Sequence, residues 1–176
     1  MCTDAGVHQA QKKNTPVGVG TDVEELVRSI VGEQSARYDA FLDHFSGGFQ
    51  DTQLEMYKWL LLPVLAADSE TLEKGLTYNT LRKVIDADHP DSPLNPGNLT
   101  QSLASVASLQ VKSKIIPIIL DYDLTQRRLN VVDRGFLIWL NYQDRAELRS
   151  NIGLPSDPEI PGDVILTSGG QQQLGS

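Results

Sequence analysis

The chain is expected to be mainly α-helical with a small β-hairpin, and three stretches carry that expectation. Between Leu76 and Leu140, two amphipathic runs, LTYNTLRKVID and NLTQSLASVASLQVKSK, flank the loop DHPDSPLNPG. PIILDYD and RRLNVVD then read as two short strands around the turn Leu124-Thr125-Gln126. The run GFLIWLNYQDRAELRSNIG closes the region as a last helix.

Taken in order, residues 1–20 are polar and without period, and are expected to be a disordered tail. Thr21-Asp22-Val23-Glu24 is a capping box, in which a threonine oxygen and a glutamate each satisfy a free backbone N–H. Val23, Leu26, Val27, Ile30, Val31, Tyr38, Phe41, Leu42 and Phe45 follow at helical spacing, so residues 21–50 are assigned to one N-terminal helix, ended by Ser46-Gly47-Gly48. That face is expected to pack on the chain's own core. The steps Val27, Val31, Gln34, Tyr38, Phe41, Phe45 also allow a homodimer or a protein partner to dock through residues 23–45.

The main domain is expected over residues 51–154. A second capping box, Thr52 to Glu55, opens the run LEMYKWLLLPVLAAD, which is apolar nearly all round and so buried, with Trp59 in the core and a kink or break at Pro63. Thr77 caps a helix with Leu81, Val84 and Ile85 inward. The three prolines between Asp88 and Gly97 forbid helix there. Asn98 caps the next helix, with Leu99, Leu103, Val106 and Ala107 facing in. Asp133 caps the last, which packs through Phe136, Leu137, Trp139, Leu140 and Leu148 and stops at Gly153. Residues 155–176 read as a second disordered tail.

A net charge of -8 argues against indiscriminate polyanion binding, but the charge is unevenly placed. Lys74 to Arg134 holds eight basic and six acidic residues, leaving -10 for the remainder, and no acid lies between Asp91 and Asp121. Cys2 is the single cysteine, which excludes an internal disulfide or a cysteine-based zinc site. The first residues lack the apolar run of a signal peptide, and WLLLPVLAA is too short to span a bilayer. The expected location is cytoplasmic, or nuclear in a eukaryote, with no membrane association.

No enzymatic constellation stands out, and no cofactor is expected. Asp86, Asp88, His89 and Asp91 have metal-ligand chemistry but sit in a proline-rich loop without a distant partner, and are read as loop residues. Asp121 and Asp123 are read as turn-stabilising, and His44 as a helix-end residue. Signatures such as G-x-x-x-x-G-K-[ST] and H-E-x-x-H are missing.

A small-residue helix leading directly into a hairpin, and a return strand closing as LNVVDRGFLIWL, resemble the winged helix-turn-helix superfamily, including winged domains attached to AAA-type and related ATPases. The resemblance covers roughly Leu54 to Gln143 and implies a winged domain with additional helices before and after it. It further implies a non-enzymatic regulator that binds double-stranded DNA through its second helix and its wing. The residues so assigned are Asn98, Gln101, Ser102, Ser105, Ser108, Lys112 and Lys114 on and beside the helix, and Arg127 and Arg128 on the wing. The alternative is a winged-helix protein-interaction module or accessory subunit of a larger regulatory or defence assembly.

Overall fold

A computed structural model describes residues 23–47 and 55–167. Both expected tails begin or end outside that span, as do Thr21 and Thr52, the first residues of the two expected capping boxes. The chain divides into two compact units, one ending at Glu33 and one beginning at Gln34. The boundary between them falls inside the first helix, α1 (Val23–Gly47).

In the first unit the described residues are the opening turns of α1. Arg28 pairs with Glu24 at 2.7 Å, and Val23, Leu26 and Ile30 are exposed.

In the second unit, the rest of α1 is a core element. Tyr38, Phe41, Leu42 and Phe45 are buried. The rings of Tyr38, Phe41 and Phe45 join those of Phe136 and Trp139 in one cluster, with neighbouring centroids 4.6–5.6 Å apart. Packing of that kind explains why these residues belong with the body of the chain and are unavailable to a partner.

Helix α2 (Met56–Ala66) forms the centre of the core, with nine of its eleven residues buried. It starts one residue after Glu55, which adopts a left-handed backbone (φ 49°) and makes no side-chain cap. Pro63 does not end it, since the helix runs on to Ala66. Asp68 caps α3 (Ser69–Lys74) by accepting from Thr71 N at 2.8 Å.

Strand β1 (Leu76–Thr77) was not legible as a strand, because two residues carry no alternation. Gly75 precedes it at φ 79°, and a Cβ there would stand 2.3 Å from Asn130 Oδ1, so the position requires glycine. Thr77 then caps α4 (Tyr78–Asp88), accepting from Thr80 N at 3.1 Å.

Helix α5 (Pro96–Lys112) begins earlier than expected: its cap is Asn95, not Asn98, and accepts from Gly97 N. Pro96 fits the first helical position because its missing N–H would have had no partner there. The loop before it is exposed from Pro90 to Pro93 but tied down at its ends. Asp86 accepts from Leu94 N, Asp88 from Glu159 N, and His89 is buried against Trp59 with its Nδ1 accepting from Asp91 N. Among the described residues no group of His, Cys, Asp or Glu could hold a metal ion.

Strands β2 (Leu120–Asp123) and β3 (Arg128–Val131) form the expected hairpin, and β1 pairs with β3 to complete a three-stranded antiparallel sheet in the order β1-β3-β2. Leu76 lies opposite Leu129, and Leu120 opposite Val131. Asp123 takes N–H bonds from Thr125 and Gln126 and so shapes the turn.

The last expected helix is two. Asp133 caps α6 (Arg134–Asn141), and Asp144, accepting from Glu147 N, caps α7 (Arg145–Asn151). The sequence Asp144-Arg-Ala-Glu147 is itself a start signal, which ends one helix and opens the next. Residues 155–167 are also no free tail. Arg149 donates to the carbonyls of Leu65, Pro155 and Ser156, Asp68 N donates to Leu166 O, and Leu154 and Leu166 are buried. None of the helices among the described residues is long and apolar enough to cross a membrane.

Candidate nucleic-acid interface

Helix α5 and the hairpin were singled out by charge, so the question is which of their side chains share a surface. Helix α5 packs through Leu99, Ser102, Leu103, Val106 and Gln110. Ser102 is therefore a correction: at 6% exposure it belongs to the inner stripe, one turn from Leu99 and Val106, and cannot meet a ligand. Ser105 and Asn98 are half-buried, while Thr100, Gln101, Ala104, Ser108, Val111 and Lys112 form the open face. Ser108 Oγ donates to Ser105 O, and the Gln101 side chain makes no hydrogen bond to a described residue.

Gln110 was missed altogether. It is fully buried, and its side-chain amide donates to Leu120 O at 2.6 Å and accepts from the N–H groups of Ile119 and Leu120 at 2.7 and 3.1 Å. One glutamine thereby fixes where the hairpin leaves the helix. Two helical turns separate it from Leu103 on the apolar stripe, which is the signal that marked it as buried.

The helix ends in a Schellman motif. Ile115 N donates to Gln110 O and Lys114 N to Val111 O, with Lys114 in the left-handed region at φ 60°. Lys112 and Lys114 are both exposed at this end, and neither forms an ion pair with a described residue.

The two wing arginines behave differently. Arg128 turns inward, its Nη1 donating to the carbonyls of Lys74 and Gly75 at 3.1 and 3.2 Å, so it holds β3 against the end of α3. Those two bonds engage its Nη1 with backbone carbonyls, so in this structure Arg128 anchors the strand. Arg127 closes the turn with a left-handed backbone (φ 53°) and stays exposed, its guanidinium 4.5 Å from the centroid of the Tyr78 ring.

Tyr78 had not been singled out, yet it joins the pieces. Its N–H donates to Arg127 O, its hydroxyl donates to Pro96 O at 3.3 Å, and Thr100 Oγ1 lies 3.5 Å from the same hydroxyl. The hairpin tip, the start of α4 and the first turn of α5 thus meet around one ring. An open cleft of about 410 Å³ lies there, lined by Thr77, Tyr78, Asn79, Gln126 and Arg127. A second, of about 350 Å³, lies on the other side of Thr77 beside Lys74 and Arg128.

The expected nine residues therefore fall into two groups, with two left over. Arg127, Asn98, Gln101 and the half-buried Ser105 belong to the hairpin and the first half of α5. Ser108, Lys112 and Lys114 belong to its last turns, where a 17-residue helix puts them up to about 25 Å from its start. Ser102 is buried, and Arg128 is half-buried with its Nη1 on backbone carbonyls. No family model, no curated protein and no solved structure matches the chain.

Proposed function

We propose that residues 56–141 are a winged helix-turn-helix domain and that it binds double-stranded DNA without catalysing a reaction. The succession helix, strand, two helices and hairpin, with the first strand added to the hairpin in the order β1-β3-β2, supports the domain assignment. The observation that carries the binding reading is the junction at Tyr78. It sets the exposed Arg127 guanidinium and the start of α4 around one cleft, and the Tyr78 hydroxyl ties that cleft to Pro96 and Thr100 in the first turn of α5.

In that reading Gln101 and Asn98 meet base edges, since a carboxamide pairs well with adenine, and Arg127 meets a phosphate. No carboxylate between Ser92 and Leu120 opposes the approach. The overall charge of -8 makes the contact local and weak, so binding is expected at low ionic strength. Fluorescence anisotropy of a labelled duplex, titrated against salt, tests it. Affinity that falls with salt and is reduced by Arg127→Ala is the expected result; no duplex binding at low salt ends the reading.

A protein-interaction module is the second reading, favoured by the inward turn of Arg128 and by an outer face of α5 that carries no charge from Thr100 to Val111. A stoichiometric protein partner that protects Gln101 and Ser108 from labelling, with no duplex affinity, would establish it in place of the first.

A further inference from the structure

The cleft of about 350 Å³ beside Thr77 takes no part in the duplex reading, yet several elements converge to build it. Helix α3 supplies Glu70 and Lys74, β1 supplies one wall, and β3 supplies Arg128. Ile165 reaches it from the segment after α7 and is 75% exposed. Its neighbour Leu166 is buried, with a carbonyl that accepts from Asp68 N at 2.8 Å, so Ile165 is held against the cleft by a fixed anchor. The volume stands at the lower end of the roughly 300–1,000 Å³ of small-molecule sites.

Arg128 gives the cleft its chemistry. Its Nη1 donates to the carbonyls of Lys74 and Gly75 at 3.1 and 3.2 Å, which holds the guanidinium in place. Its Nε and Nη2 make no hydrogen bond to a described residue. Those two donors are the side of the fork that matches the paired oxygens of a carboxylate. Because backbone bonds already hold the fork, little rotamer freedom is left to lose on binding. Lys74 and Glu70 pair with each other at 2.7 Å, so two cations and one acid leave the cleft with a single positive charge. One negative charge complements it, whereas a doubly charged phosphate would also be repelled by Glu70.

We infer that this cleft binds a small carboxylic acid with a short apolar tail, its carboxylate on Nε and Nη2 of Arg128 and its tail against Ile165. The inference is independent of DNA binding, whose arginine, Arg127, lines the other cleft. The last residue of a peptide carries the same carboxylate chemistry, so the test has an arm for each source.

The test is an NMR titration of the isotope-labelled full chain with isocaproate, without DNA. It is read at the backbone amides of residues 70–77 and at the Nε–H of Arg128. Saturable shifts confined to the cleft are expected, with a Kd on the order of a millimolar, as suits a ligand of few atoms. Acetate should bind at least about threefold more weakly for want of the tail, and the neutral amide of isocaproate should not bind. Arg128→Lys keeps the charge but not the fork, and should weaken isocaproate about tenfold. Ile165→Ser, an exposed substitution that the fold tolerates, should bring isocaproate down to the level of acetate. An acetylated peptide ending in leucine separates the sources: its binding assigns the site to a chain terminus and its exclusion to a free acid, and either supports a carboxylate site. No shift in the parent chain, equal shifts with the amide, tighter binding of inorganic phosphate than of isocaproate, or an affinity unchanged by both substitutions overturns the inference.

Discussion

Gln110 holds Leu120 by both of its backbone groups, donating to the carbonyl and accepting from the N–H. A side chain thus treats the first residue of β2 as a neighbouring strand would. Replacing it with leucine keeps the volume and strands three buried backbone groups, at Ile119 and Leu120. Loss of about 3 kcal/mol is expected, seen as a lower urea midpoint with the slope unchanged.

Gly75→Ala should cost about 1–2 kcal/mol, from a left-handed backbone and from the approach of its Cβ to Asn130 Oδ1. Asn130→Ala in the same chain removes the approach but not the backbone strain. Thermal unfolding of the double variant should therefore recover part of the loss and no more.

The same turn closes α5 and α7, with Lys114 at φ 60° in one and Gly153 at φ 76° in the other. Lys114→Gly should stabilise the chain by about 0.5–1 kcal/mol, and Gly153→Ala should destabilise it by a similar amount. Equal and opposite shifts of the denaturation midpoint are the measurement.

The Tyr38 hydroxyl faces Asp133, which also pairs with Arg37 at 2.5 Å. Burial, and then the negative charge of Asp133, push its pKa from 10.0 up to about 12. The folded chain keeps this proton where the unfolded chain has lost it, so the contribution to stability is complete below pH 10 and disappears as pH rises towards 12. Tyr38→Phe should flatten that decline in alkaline unfolding relative to the parent chain, and leave the Arg37–Asp133 pair in place.

Arg127→Ala and Arg128→Ala should separate cleanly. The first should leave the unfolding midpoint within about 0.5 kcal/mol and lower the salt slope of duplex binding by about one. The second should lower stability by about 1 kcal/mol, since it releases the carbonyls of Lys74 and Gly75. Chemical denaturation and anisotropy on both variants read the two effects independently.

Periodicity was enough to place most helices and the hairpin, because Leu81, Val84, Leu99, Leu103 and Phe136 recur at spacings that only one local structure satisfies. It failed where a single polar group decides. Asp144 cuts one helix into two, Asn95 moves the start of α5, and Gln110 enters the core through hydrogen bonds that composition does not advertise. Among the candidate contacts, charge was a poor guide to availability. Arg127 and Arg128 are neighbours of the same type, and only the fold reveals that one lies across an aromatic ring while the other is bound to carbonyl oxygens. Tyr78 left no mark at all, its role depending on a hairpin nearly fifty residues away.

Small open sheets invite a neighbour's backbone to add itself to their margins. Here one margin, β1, is two residues long, and at the other the outward-facing groups of Leu120 are already taken by Gln110. The same glutamine that sets the hairpin's origin therefore also shortens the ladder that this margin offers to another chain.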